Sequence, residues 1–174
     1  MKGSTAKKVV LKETLMITID YADPRHPEIT TLLMQSHALM QSLYSEEENH
    51  YLSVAALCQK DVRLFAAQID RAYVGCAALA FKEGYGELKS MFVDPCHRGK
   101  GVAKGLMEAL EREAISQRFE FMRLETGELL KEAVTLYTKF GFIRCGPFGN
   151  YSDEVASVFM EKSLNSSPEV GTFQ

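Results

Sequence analysis

The chain has 174 residues, 46% of them hydrophobic and 25% charged, enough for one compact domain with a substantial core. A formal charge of −3 excludes wholesale coating of nucleic acid or of an anionic membrane surface, so any anion site must be local. The most continuous apolar stretch, Tyr73 to Phe81, is broken by Gly75 and falls far short of the ~20 residues a membrane-spanning helix needs.

Residues 1–15 carry Lys2, Lys7, Lys8 and Lys12 without a sustained period and read as a flexible extension. The apolar run Val9 to Leu11 is too short for a secretory signal. Residues 16–20 read as a strand. Pro27 opens a helix, with Ile29, Leu32, Leu33, Leu39, Met40 and Leu43 at helical spacing, and a second short helix is expected over 50–59. Then the period changes. Val62, Leu64 and Ala66, next 73–81, and next 87–93 are strand-forming segments separated by Asp70-Arg71 and Gly84-Tyr85-Gly86 turns, which predicts an antiparallel meander. Residues 101–116 predict an amphipathic helix with Val102, Leu106, Leu110 and Ala114 on one face and Glu108 with Arg112 on the wet one. A strand over 119–125, a helix over 131–140 stopped by Gly141, and strands over 142–145 and 155–162 follow. Residues 165–174 are turn-rich, lack core residues and read as a disordered tail. The expected domain, 16–164, is therefore a mixed α/β sheet with helices on its faces, in which 88–124 forms a parallel strand–helix–strand crossover.

The cysteines Cys58, Cys76, Cys96 and Cys145 form no C-x-x-C pair, and His26, His37, His50 and His97 have no H-x-x-x-H spacing. No metal site and no disulfide framework are expected, and the scattered thiols read as those of a protein kept in a reducing cytoplasm.

The start of the helix at 101–116 is charged the wrong way. A helix N-terminus carries about half a positive charge and normally recruits acidic or hydroxyl residues. Here Arg98, Lys100 and Lys104 crowd that end and the first acidic residue is Glu108. An external anion resolves the conflict, and Gly99 and Gly101 remove the side chains that would keep a diphosphate from the backbone N–H groups. A Walker loop is absent. A dinucleotide fingerprint is begun by Gly99 and Gly101 but reaches Lys104 where a third glycine belongs, and the five residues between Val93 and Gly99 fit it poorly. With Glu125 as a ribose-binding acid, a nicotinamide-linked oxidoreductase remains an alternative.

Arg98-Gly99-Lys100-Gly101-Val102-Ala103 resembles the R/Q-x-x-G-x-G/A signature of the GNAT superfamily of acyl-CoA-dependent N-acyltransferases. The resemblance includes the preceding strand, Glu87 to Pro95, and Ala133 to Phe142, similar to the family's A-x-x-L-Y-x-x-x-G-F segment. It implies the GNAT fold: a mostly antiparallel mixed sheet splayed between strands 4 and 5, with acetyl-CoA in the opening. Its pantetheine would pair with the Met91, Phe92 and Val93 backbone, and its pyrophosphate would sit on the amides of Arg98, Gly99, Lys100, Gly101, Val102 and Ala103.

Acetyl transfer to an amine needs a proton acceptor, an oxyanion donor and a proton donor for the thiolate. An alkylammonium of pKa ~10 must lose its proton to a carboxylate, directly or through water. Glu87 and Glu125, near the strand ends, are the candidates, Glu87 preferred because its strand also carries the thioester. Tyr137 matches the family's general-acid tyrosine, and backbone N–H groups near Val93 can serve the oxyanion. Cys96, near a helix start, is a poorer candidate as a nucleophile because no triad partner is evident. Tyr21, Phe148 and Tyr151 are expected to wall the acceptor pocket, and the Glu46 to Glu48 run can attract a cation. The expected acceptor is a small-molecule primary amine, with a protein amine or a noncatalytic acyl-CoA-binding sensor domain as alternatives. The resemblance also leaves a homodimer open.

Overall fold

The computed structural model describes residues 16–152 and 156–164. The segments expected to be a flexible extension and a disordered tail, 1–15 and 165–174, lie outside the described residues, as do 153–155.

Among the described residues twelve elements follow one another, one of them a short 3-10 turn. Strand β1 (Ile17–Tyr21) leads to helix α1 (Pro27–Leu43) and the single turn α2 (Val54–Leu57). Strands β2 (Val62–Ile69), β3 (Ala72–Lys82) and β4 (Tyr85–Val93) form the meander. A 3-10 turn (Pro95–His97) precedes α3 (Val102–Ser116), and β5 (Phe121–Gly127), α4 (Lys131–Lys139), β6 (Ile143–Arg144) and β7 (Ser157–Ser163) complete the order. All seven strands join one sheet in the order β1-β2-β3-β4-β5-β7-β6, in which only β4 and β5 are parallel. This is the mixed, mostly antiparallel sheet expected from the sequence, and it is not the doubly wound parallel sheet of a nicotinamide-binding domain.

Both faces are covered. On one, Ile29, Leu32 and Leu33 of α1 and Leu57 of α2 pack on Leu64, Ala66, Ala78, Ala80 and Phe92. On the other, Leu106, Met107, Leu110 and Ala114 of α3 and Tyr137 of α4 pack on Leu79, Leu88, Met122, Leu124 and Met160. A strand with helices on both sides reads as a continuous apolar run rather than an alternation, and β3 does so, buried from Val74 through Ala80.

Several strands shift by one or two residues: β5 runs Phe121–Gly127 rather than 119–125, so Glu125 lies within it rather than at its end, and β4 begins at Tyr85, ahead of Glu87. Two further differences have a local cause. The helix expected over 50–59 shrinks to Val54–Leu57 because the Ser53 hydroxyl caps it, accepting from the Ala56 amide at 3.2 Å. The turn expected at Gly84-Tyr85-Gly86 closes one residue earlier. Lys82 already pairs with Tyr85, Gly84 takes φ 84°, and Gly86 belongs to β4, where a side chain would strike Leu79 and Phe119.

The parallel pair is short. Its rungs run from Tyr85↔Phe121 to Leu88↔Leu124 and stop, so the remainder of β4 and of β5 diverge as the arms of a fork. The first arm is also bent. Between the Cys76↔Phe92 and Ala78↔Lys89 pairs β4 carries an extra residue, and Ser90 stands there at φ 52°. Strict alternation would put Lys89 and Phe92 on opposite faces, and the bulge returns Phe92 to the α1 side, where it is buried.

Candidate active site

Beyond Leu88 the β5-facing edge of β4 has no strand partner, so the Met91 to Val93 stretch is open on that side to an extended ligand, although Phe92 turns its own backbone to Cys76 of β3 and the Val93 carbonyl accepts from Arg98. Their side chains point away from that edge into the two cores, Met91 and Val93 on the α3 side and Phe92 on the α1 side. Immediately after, the Asp94 carboxylate accepts from the Cys96 amide at 2.7 Å and starts the 3-10 turn. That hydrogen bond, with the nearby His97, holds Asp94 below the usual carboxylate range.

At the start of α3, Gly101 is the N-cap at φ 90°, Gly99 lies at φ 74°, and neither a capping side chain nor an acidic first-turn residue is present. Among the described residues none of the amides from Gly99 to Lys104 donates a hydrogen bond, an unusual run of uncommitted N–H groups. Val102 is buried and anchors the helix, whereas a methyl added at Gly99 would meet nothing within 4 Å. The glycines are therefore required by backbone conformation and not by packing, and they leave the amides open to a ligand. The residues present fit the diphosphate of coenzyme A. Arg98 takes a different part: its Nε donates to the Val93 carbonyl at 3.2 Å and its guanidinium lies 3.9 Å from Glu132, which ties β4 to α4.

Tyr137 on α4 is 5% exposed, its ring tilted on Phe142 at 6.1 Å, and its hydroxyl donates to no described residue. Burial first, and the Glu125 charge second, push its phenol well above the ordinary tyrosine value, so it holds its proton.

On the opposite face of the sheet, Glu87 and Lys89 of β4 lie on the same side as Arg123 and Glu125 of β5, because Glu87 and Arg123 are register partners. Here the α1–α2 connection, the β3–β4 hairpin, β4 and the β6–β7 connection enclose a cavity of about 440 Å3. Its wall includes Glu87, Lys89, Tyr85, Lys82, Tyr51 and Tyr151. Glu87 is 4% exposed and accepts from the Tyr151 hydroxyl at 2.5 Å, with the Lys89 ammonium 3.2 Å away. Burial and the Glu87 carboxylate raise the Tyr151 phenol, which stays a donor. Glu125 is half-buried one residue beyond the last rung and accepts from Ser157 at 2.8 Å.

The expected pocket residues separate. Tyr151 lines the cavity. Phe148 is buried behind it, edge-on to Tyr85 at 5.6 Å and to Tyr151 at 5.3 Å, so it supports the wall. Tyr21 is elsewhere: β1 is the far edge strand, and Tyr21 stacks on Phe65 and donates to Glu113 at 2.6 Å, lining a separate depression with Arg25 and Lys60. Side-chain alternation could not place Tyr21, because the order of strands decides it. Lys89, absent from the sequence-based candidates, stands two residues after Glu87, the spacing that puts both on one face. Glu48 is spent on Ser45, whose amide and hydroxyl both donate to it, and the Glu46 to Glu48 run does not line the cavity.

The Acetyltransferase (GNAT) family profile matches residues 26–142, two thirds of the chain. The chain belongs to the GNAT acetyltransferase family. An IAA acetyltransferase of Azospirillum brasilense is 37% identical over 150 residues, 85% of this chain and 98% of that protein. A crystal structure from Klebsiella pneumoniae subsp. pneumoniae, assigned to the acyl-CoA N-acyltransferases, superposes with a TM-score of 0.73 at 32% identity, covering 86% of this chain and 98% of that one. The PaiA N-acetyltransferase of Thermoplasma acidophilum, solved with coenzyme A, shares the fold at a TM-score of 0.67 and 17% identity, covering 86% and 99%. This GNAT protein is thus an acetyltransferase that draws its acetyl group from acetyl-CoA, and its forked sheet is the family's fold. Among its described residues no helix is long and apolar enough to cross a membrane.

Proposed function

We propose that the protein acetylates a small primary amine by direct attack on the acetyl-CoA thioester, with Glu87 as proton acceptor and Tyr137 as proton donor. The observation that carries this reading is the cavity at the root of the fork. At about 440 Å3 it has the size of a small-molecule site, and among the described residues lining it the single carboxylate is that of Glu87.

Acetyl-CoA supplies the activated acetyl group. The free edge at Met91 to Val93 aligns its peptide-like arm, and the amides of Gly99 to Lys104 hold its diphosphate with Lys100 and Lys104 alongside. The incoming ammonium gives a proton to Glu87, directly or through one water, since Glu87 Oε1 is already engaged by Tyr151 and Lys89. The neutral amine adds to the thioester carbonyl and a backbone N–H near Val93 takes the oxyanion. Collapse breaks the C–S bond, and Tyr137, protonated and without a competing partner, donates to the thiolate. Glu125 lies beyond the cavity wall and adds negative potential near Tyr137 and Tyr151. No covalent enzyme intermediate is required, and Cys96 is an exposed thiol outside this path.

Thiol release from acetyl-CoA with a panel of amines, amino acids and peptide N-termini tests the reading. Turnover with a small amine, reduced about 100-fold or more in Glu87→Gln, is expected. Tight acetyl-CoA binding without turnover on any small amine, or turnover confined to peptides, contradicts it.

A further inference from the structure

Lys89 is the least expected residue of the cavity. Its side chain is 11% exposed, and a lysine this deep is costly unless all its donors are satisfied. Here the charge is compensated: the ammonium donates to the Tyr151 hydroxyl at 2.6 Å and to the His50 carbonyl at 3.0 Å, and forms an ion pair with Glu87 Oε1 at 3.2 Å. It also stands 5.3 Å from the centre of the Tyr151 ring, and Tyr151 in turn donates to the same Glu87 oxygen. Two of the three partners belong to connections rather than to the sheet: His50 to the α1–α2 connection, Tyr151 to the β6–β7 connection. One side chain therefore fastens both walls of the acceptor cavity to β4.

We propose that Lys89 is a positioning residue of the acetyl transfer, a clasp that holds the two connections over the cavity and keeps the Glu87 carboxylate fixed for the incoming amine. The inference rests on the reading of Glu87 as the proton acceptor. Other groups face Glu87 without replacing Lys89. Arg123, its register partner on β5, bonds Glu161 at 2.6 Å and lies over the Tyr85 ring at 4.7 Å, so its charge is already committed. Tyr85 on β4 and Tyr151 are neutral phenols kept protonated partly by Glu87 itself. His50 stands edge-on to Tyr151 at 5.3 Å, Lys82 sits on the cavity wall at the end of β3, and Glu125 is two residues from Arg123 on β5. Lys89 is the cation in contact, and a buried carboxylate that loses its contact cation takes up a proton more readily.

The test uses the full chain and does not depend on knowing the acceptor. In protein labelled with 13C at the glutamate carboxyl, the Glu87 resonance is assigned by its absence from Glu87→Gln and titrated with pH. Lys89→Gln, which keeps a donor but removes the charge, is expected to raise the Glu87 midpoint by about one pH unit or more, and Lys89→Arg to return it towards the parent. Amide hydrogen exchange in 45–53 and 146–152 should quicken in Lys89→Gln and not in Lys89→Arg. With the best amine of the panel, KM for the amine should rise while KM for acetyl-CoA stays within about twofold. An unmoved Glu87 midpoint together with lost turnover in Glu87→Gln overturns the clasp and leaves the proton-acceptor reading standing. A moved midpoint with full turnover in Glu87→Gln overturns that reading and the inference with it. Should Lys89→Gln not fold, Tyr151→Phe releases one arm of the clasp alone: exchange in 146–152 should quicken while 45–53, held through the His50 carbonyl, stays protected, and unchanged exchange in 146–152 overturns the inference.

Discussion

Tyr137 sits among Phe142, Leu124 and the α3 core, yet its hydroxyl contributes no hydrogen bond to the fold. The ring is buried but the hydroxyl oxygen keeps contact with solvent, so losing it costs the fold little. Removing the oxygen should therefore separate function from folding. Tyr137→Phe is expected to lower kcat about 100-fold or more while the melting temperature is unchanged or raised, measured by turnover and by calorimetry. A large drop in melting temperature would assign the hydroxyl a structural duty instead. At this scale the motif points to Tyr137, and the expected strand ends to Glu87 and Glu125, as candidates, but neither could say that Glu87 is buried under Tyr151 whereas Glu125 faces Ser157. Those partners come from segments 32 and 64 residues away in the chain, and no local period reports them.

The entry to α3 is an element built against ordinary helix rules. No cap, no first-turn acid and two glycines in the left-handed region leave the N-terminus without a capping partner among the described residues, the setting in which an anion is favoured. At Gly101 a methyl would find space, its nearest neighbour being the Ile17 side chain at 3.9 Å, so the cost of Gly101→Ala is the strained backbone at φ 90°, roughly 1–3 kcal/mol. Urea unfolding should report that loss. Acetyl-CoA affinity should fall about tenfold or more as the N–H groups lose their alignment, since a hydrogen bond to a charged group is worth roughly 1.5–3 kcal/mol. This element was legible because its charge anomaly and glycine spacing are local. The bulge at Ser90 was not. A serine at φ 52° carries no composition signal, and the extra residue becomes visible only when β4 is laid against β3. For the same reason the two-residue spacing of Glu87 and Lys89 could have revealed their shared face, since it precedes the bulge, whereas the shared face of Phe92 could not be found by counting.

Across the whole molecule, net charge and site charge point in opposite directions. The chain is acidic at −3, but the described lining of the acceptor cavity holds Lys82 and Lys89 against the single carboxylate of Glu87. A polycation gains nothing there. Monoamines should be better acceptors than spermidine by at least about tenfold in kcat/KM, and a preference for spermidine would contradict this charge arrangement. The order of strands, helices and the parallel crossover could be read from the sequence, because the periods are clean and a parallel pair requires a helical crossover. Which side of the sheet each loop reaches, and hence the exclusion of Tyr21 from the cavity, depends on β1 being the far edge, a long-range fact.

The central claim is that acetyl-CoA lies along the free arm of β4 with its diphosphate at the start of α3. Titrating 15N-labelled protein with acetyl-CoA and following backbone amides by NMR tests it most directly. The account predicts that the largest shifts fall on residues 91–93 and 99–104, saturate together, and spare β1 and the depression around Arg25 and Lys60. Shifts concentrated at that depression, or amides 99–104 unmoved at saturation, would contradict it.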